Sequence, residues 1–384
     1  MKSGDTSTFN TERYTRSVEE MKSRKEEVHD KGREVYRRTK RMDPLVDVKN
    51  KMRLSHNSFK KVGDKAVLVN GIALPIYSAF DGTGSMGEMA GIAHGAMGDI
   101  MAMLNGIRHR YNPQLATSVV QDVQDEHPVL QMSQFETDER VAEQIRLLIP
   151  DHDGGDGTED YQLALAYLML AVDTDINNFY GLKGYGFIVG DQIGRETVPN
   201  KSDYADDDVE KFLGIKMQSK MKTKAVAKEV LKKWHMFYIA VGRGGHVVDW
   251  WLDKLGAGRV VVCPDPHKLA EVQAALVYAT ETEQPTQEGL FEFLKAGGSN
   301  KKVTKKVAEE VWSWIVEAGV PFGAQTKLAG YADIPLPGAE FEHFRHQWPI
   351  GHARFAENVI PVEPEVVVPT GSSPKSEKPS WENF

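Results

Sequence analysis

The chain has 384 residues, a formal net charge of −8 and a pI near 5.9. A hydrophobic fraction of 41% and a charged fraction of 27% suit a folded globular protein, and the acidic balance argues against one built to coat nucleic acid. The single cysteine, Cys263, excludes a disulfide framework and a cysteine-based zinc site, and no apolar run reaches the ~18 residues that a bilayer span needs.

The N-terminus carries no apolar stretch of the secretory type, so a cytoplasmic location is expected, or a virion-associated one were the chain phage-encoded. Charge is uneven along the chain. Residues 1–53 hold 15 Lys+Arg against 10 Asp+Glu, a local +5, which leaves −13 for the remainder of a chain whose total is −8. The peak is 31–41, where six basic residues surround one acid. This stretch is the one exception to the argument against nucleic acid, and it would equally suit an acidic partner. The alternation of acids and bases from Glu19 to Glu34 fits a solvated helix face better.

Residues 1–12 are polar and read as disordered, and 13–41 as a helix interrupted near Gly32. A mixed stretch follows over 44–70, with a turn at Val62-Gly63-Asp64, so that 1–70 reads as a charged, helical N-terminal extension. From residue 71 the pattern alternates. Strands are predicted at 73–80, 117–123, 129–135, 186–190, 236–241 and 259–263, and helices at 88–107, 139–149, 161–172, 205–233 (in two pieces), 247–255 and 269–280. This alternation over 71–283 predicts an α/β fold, a doubly wound and mostly parallel sheet with helices on both faces. Beyond it, helices at 287–295 and 303–316 give a C-terminal helical segment over 284–360, and 361–384 reads as a flexible tail.

In a doubly wound sheet the ligand site lies beyond the carboxyl ends of the strands, where the strand order reverses. That rule directs attention to the loops after Phe80, around Thr158 and after Gly190. The first loop reads Asp81-x-Thr83-x-Ser85, one carboxylate and two hydroxyls on a glycine-rich turn between a buried strand and a helix. All-oxygen donors favour hard cations, Mg²⁺ first and also Mn²⁺ or Ca²⁺. Three donors do not fill a shell, and the other two loops offer more oxygens, in the stretch from Asp153 to Asp160 and at Asp191. Helix capping would account for Thr83, Ser85 and Thr158 but not for acids at two strand ends.

The strand followed by DGTGSMG resembles the metal-ion-dependent adhesion site of von Willebrand factor A-type domains, whose first motif is D-x-[ST]-x-S. The order of FDGTGSMG, QFETDER, GGDGTEDYQLALAY and GYGFIVGD resembles intracellular members found in bacteria and their phages. The resemblance covers residues 71–283 and implies a Rossmann-like domain with Asp81, Thr83, Ser85, Thr158 and Asp191 as metal ligands. The second loop is richer in acids than the family pattern, which makes Asp153, Asp156 and Glu159 candidates for additional or supporting ligands. It further implies a non-enzymatic adaptor in which the ion binds an Asp or Glu of a partner protein. The alternatives are a metal-dependent phosphoester hydrolase, or a structural, virion-associated protein that uses the domain as a scaffold; homo-oligomers are compatible with any of these. No Walker loop or G-x-S-x-G elbow is present.

Overall fold

The computed structural model describes residues 27–341 apart from 64, 87–88, 124, 152–157, 199–208, 216, 218–219, 243 and 297–302, together with 13, 14, 16, 19, 20 and 23. In chain order the elements open with α1 (Asp30–Thr39), β1 (Arg53–Ser55), β2 (Phe59–Val62), β3 (Lys65–Leu68), β4 (Ile72–Asp81), α2 (Met89–Met103), β5 (Tyr111–Val120), β6 (Leu130–Met132) and α3 (Arg140–Ile145). There follow β7 (Thr158–Glu159), α4 (Tyr161–Ala171), β8 (Val172–Thr174), α5 (Asp175–Tyr180), β9 (Gly184–Gly190), β10 (Ile193–Gly194), β11 (Thr197–Val198) and α6 (Val209–Leu213). The last are β12 (Met221–Lys222), α7 (Thr223–Lys233), β13 (Trp234–Val241), α8 (His246–Leu255), β14 (Val260–Cys263), α9 (Leu269–Glu281), α10 (Gln287–Ala296), α11 (Lys305–Glu317) and β15 (Glu340–Phe341).

The fold is α/β. A six-stranded sheet runs β14-β13-β9-β4-β5-β6, parallel throughout except for the antiparallel edge strand β6. All ten residues of β4 are buried, as expected of a central strand covered on both faces. Pro75, which cannot donate to a ladder, sits one residue before the β4–β9 pairing begins at Ile76. Side chains alternate between two cores. Leu74, Ile76, Phe80, Phe187, Phe237 and Ile239 belong to one, under α2, α9, α10 and α11. Tyr77, Ala79, Ile188, Met236, Tyr238 and Ala240 belong to the other, under α4, α7 and α8. Helix α4 is apolar all round because it is buried all round, with only Met169 and Leu170 half-covered.

The chain enters the sheet at β4 and β5, then crosses back to add β9, β13 and β14 on the other side, so the order reverses between β4 and β9. The flanking segments share the cores of the sheet. Leu290, Leu294, Val311 and Ile315 of α10 and α11 join the first core, as do Phe59, Ala66 and Leu68. Residues 53–68, expected within a helical extension, instead form strands: β1 pairs with β8, and β2 and β3 form a hairpin through Gly63 (φ 62°) that β15 extends. Burial of Phe59, Ala66 and Leu68 against the first core outweighs the charge of this stretch. The tail 361–384 and residues 1–12 lie outside the described residues.

Helix α1 begins after a turn at 28–29, so the predicted interruption falls before Gly32 rather than at it. Gly32 is buried where α1 docks on the α3 loop. Its N–H donates to the Arg146 carbonyl at 2.9 Å, and a Cβ there would lie 2.5 Å from the Leu147 carbonyl oxygen. Gly32→Ala is therefore expected to destabilise by about 1–3 kcal/mol, the range for overpacking, seen as a fall of roughly 5 °C in the melting temperature. An unchanged melting temperature would show that the contact is not tight.

Candidate metal centre

Two acids stand at neighbouring strand ends on either side of the reversal point. Asp81 closes β4, and Asp191 directly follows Gly190 at the end of β9. Phe80 pairs with Val189, so Asp81 lies opposite Gly190. With strands about 4.8 Å apart and about 3.3 Å of rise per residue, the Asp81 and Asp191 Cα atoms are roughly 6 Å apart. A Cβ placed on Gly190 would lie 3.4 Å from Asp81 Oδ2, which puts the carboxylate directly over that glycine.

Asp81 is 3% exposed. Its Oδ1 accepts the Thr83 backbone N–H at 2.8 Å and the Thr83 hydroxyl at 2.5 Å, and its Oδ2 accepts the Tyr161 hydroxyl at 2.5 Å. Burial pushes the Asp81 carboxyl above its ordinary range; those hydrogen bonds pull it down, and the Asp191 charge pushes it up again. Because the Thr83 hydroxyl spends its proton on Asp81, both its lone pairs stay available to a ligand. Ser85 lies in the turn Gly84–Met86 that follows, and its side chain is not among those described.

The second loop is fastened to the third. Thr158 and Glu159 pair in parallel with Ile193 and Gly194, which puts Thr158 beside a residue two positions past Asp191. The structure thus gathers Asp81, Thr83, Thr158 and Asp191 at one rim. Asp153 and Asp156 lie outside the described residues. Glu159 is 3% exposed, and its Oε2 has no hydrogen-bond partner among the described residues. Burial, then the charges of Asp81, Asp122, Asp125 and Asp160, push its carboxyl up to about 9.

Three participants, Asp122, Arg195 and Tyr161, were not singled out in the sequence, and Asp160 appeared there as the end of the oxygen-rich stretch. Asp122, just past β5, receives Arg195 Nη2 at 2.8 Å, and Asp160 receives Arg195 Nε at 3.3 Å. Asp160 also accepts the Val123 N–H at 3.0 Å and the Gln162 amide at 2.5 Å, while burial moves it up to about 6. Arg195 is itself 5% exposed, so this is a buried ion network that ties the loops after β5, β7 and β9 together. Tyr161, the first residue of α4, contributes the hydroxyl on Asp81.

Among the described residues no group of three His, Cys, Asp or Glu side chains is arranged to hold a metal by itself. The residues present do fit a divalent cation. Several acids share a nearly dry rim, one buried carboxylate oxygen lacks a partner, and the mutual repulsion is of the kind a bound cation removes.

No family model matches the chain, and no curated protein does. Solved structures similar to it include a von Willebrand factor type A protein from Catenulispora acidiphila, at 11% identity and a TM-score of 0.32 over 61% of this chain and 48% of that one. The pilus adhesin SpaC from Lactobacillus rhamnosus GG is similar at 13% identity and a TM-score of 0.38, over 60% of this chain and 35% of that one. Proximal thread matrix protein 1 from the mussel byssus, with a zinc-occupied MIDAS motif, is similar at 13% identity and a TM-score of 0.32, over 53% and 46%. The chain therefore spans less than half the length of each of these proteins. These likenesses concern the fold, and the chemistry of the site rests on this chain's own residues. No helix among the described residues is long and apolar enough to cross a membrane.

Proposed function

We propose that the chain is a divalent-cation-dependent protein-binding module without catalytic turnover, its ligands being Asp81, Thr83, Ser85, Thr158 and Asp191. The observation that carries this reading is the pair of strand-end aspartates across the β4–β9 seam, one of them already bonded to the hydroxyl of the first loop. Mg²⁺ suits such donors, and Mn²⁺ or Ca²⁺ would also be accepted. A bound cation supplies one open Lewis-acid position, which an Asp or Glu of a partner protein fills. The chain's own residues do the rest. Tyr161 and the Thr83 N–H orient Asp81, Arg195 holds the three loops in register, and Glu159 lies within range of the Asp81 charge and would ionise beside a bound cation.

Calorimetric titration of the full chain with Mg²⁺, Mn²⁺ and Ca²⁺ tests the reading. Saturable uptake of one ion per chain is expected, abolished by a competing chelator. No uptake of any of the three would refute it.

A further inference from the structure

Beside the candidate metal centre lies a surface cleft of about 320 Å³ whose one wall is helix α1. Arg33 and Arg37 line it from that helix, one turn apart at i and i+4, and Lys40 lines it from the left-handed residue that ends the helix (φ 57°). Arg33 is paired with Glu27 at 2.8 Å, whereas Arg37 and Lys40 are exposed and have no ion-pair partner among the described residues. Two acids also reach the cleft. Asp151 is occupied by His127, both through the ring Nδ1 and through the backbone N–H at 2.8 Å, and Glu126 stands beside it. The Tyr36 ring packs on the His127 ring with centroids 4.5 Å apart, which fixes α1 against this wall.

The cleft adjoins the first metal loop. Pro150 lines it, and a Cβ on Gly82 would lie 3.3 Å from the Pro150 Cβ and 3.0 Å from Gln121 Oε1. Gln121 Oε1 in turn accepts the Asp151 N–H at 2.6 Å. A chain segment that delivers a carboxylate to the rim at Asp81 therefore has the exposed Arg37 and Lys40 in the adjoining cleft.

We propose that this cleft binds a second acidic residue of the same partner segment, so that the recognised motif is a short Asp/Glu-rich peptide rather than one isolated carboxylate. The inference rests on the metal-dependent reading above and specifies its partner. Nucleic acid is disfavoured. A phosphate backbone following Arg37 and Lys40 through the cleft would meet the carboxylates of Glu126 and Asp151 that also line it, on a chain of net charge −8.

The test is binding of a fluorescein-labelled hexaglutamate peptide to the full chain, by anisotropy, in Mg²⁺ and in EDTA. Arg37→Glu/Lys40→Glu is expected to weaken binding by about tenfold or more, with metal uptake and melting temperature unchanged, because two attractive contacts become repulsive. Wild-type-like binding by that variant overturns the inference and leaves the metal reading standing. Equal wild-type binding in Mg²⁺ and EDTA, lost in the variant, supports the cleft and removes the metal reading. Failure of the wild type to hold the peptide, or competition by inorganic phosphate or an oligothymidylate at the peptide's own concentration, also overturns it.

Discussion

Asp81→Asn is expected to separate two effects that the native site combines. In chelator the variant melts at or slightly above the wild-type temperature, and in saturating Mg²⁺ or Mn²⁺ only the wild type rises. The first effect follows from burial. Asp81 is almost inaccessible, its carboxyl is pushed up chiefly by desolvation, and the Asp191 charge opposes its ionisation. Asparagine keeps the shape and still accepts the Thr83 N–H, and its neutrality relieves the repulsion, an effect of about 1.4 kcal/mol for each unit by which a pKa is displaced. The second effect follows from mass action. A ligand at a hundred times its dissociation constant stabilises by about 2.7 kcal/mol, roughly a 5 °C rise for a chain of this size, and a variant that cannot bind gains none of it. Thermal denaturation in EDTA and in either ion reads both effects. Equal shifts in the two proteins would locate the ion elsewhere and remove Asp81 from its coordination.

The central sheet was legible because β4, β9 and β13 are continuous buried runs bounded by turn residues, a pattern that sequence carries locally. Strand β5 begins six residues earlier than its apolar portion suggests. Its first turn contains Asn112-Pro113-Gln114, which reads as a break, yet Gln114 is buried and bonds Ser55 Oγ at 2.7 Å and the His56 carbonyl at 2.9 Å. Strands β1 and β8 are three residues each and exist only through pairing with one another across more than a hundred residues, a partnership invisible in either segment. The candidate-site acids at the ends of β4 and β9 are legible in the sequence because each stands at the end of a recognisable strand. Asp122 stands two residues past the end of β5, whose last residue Val120 pairs with Asp81, but it was hidden inside a strand predicted to run through 123. Arg195 gave no local signal at all, since its meaning lies in two carboxylates that are 73 and 35 residues away. Polar networks of this kind are decided by tertiary placement, not by periodicity.

Glu159→Gln is expected to flatten the pH dependence of stability in the metal-free protein. The Glu159 carboxyl rises from an ordinary 4.5 to about 9 in the folded chain, so between those values the folded state binds more protons than the unfolded one. Stability must then fall as pH rises, by at most about 1.4 kcal/mol per pH unit from this group. Asp160 and Glu281 titrate with the same sign but are pushed only to about 6 and about 7, so from pH 7 to 9 the difference between wild type and variant reads the Glu159 contribution. Over that interval wild type in EDTA loses stability with rising pH, while the glutamine variant loses less and is the more stable of the two near pH 8, because only the wild type must hold a proton there that its unfolded state has released. Cation binding reverses the trend, because it favours the ionised carboxylates; wild type then releases protons on uptake near neutral pH, and the variant releases fewer. Melting curves across pH, with proton release read from calorimetry in two buffers of different ionisation enthalpy, measure both. A variant with the wild-type slope would transfer the titration to Asp81, whose carboxyl is also raised and whose replacement by asparagine would then have to remove it.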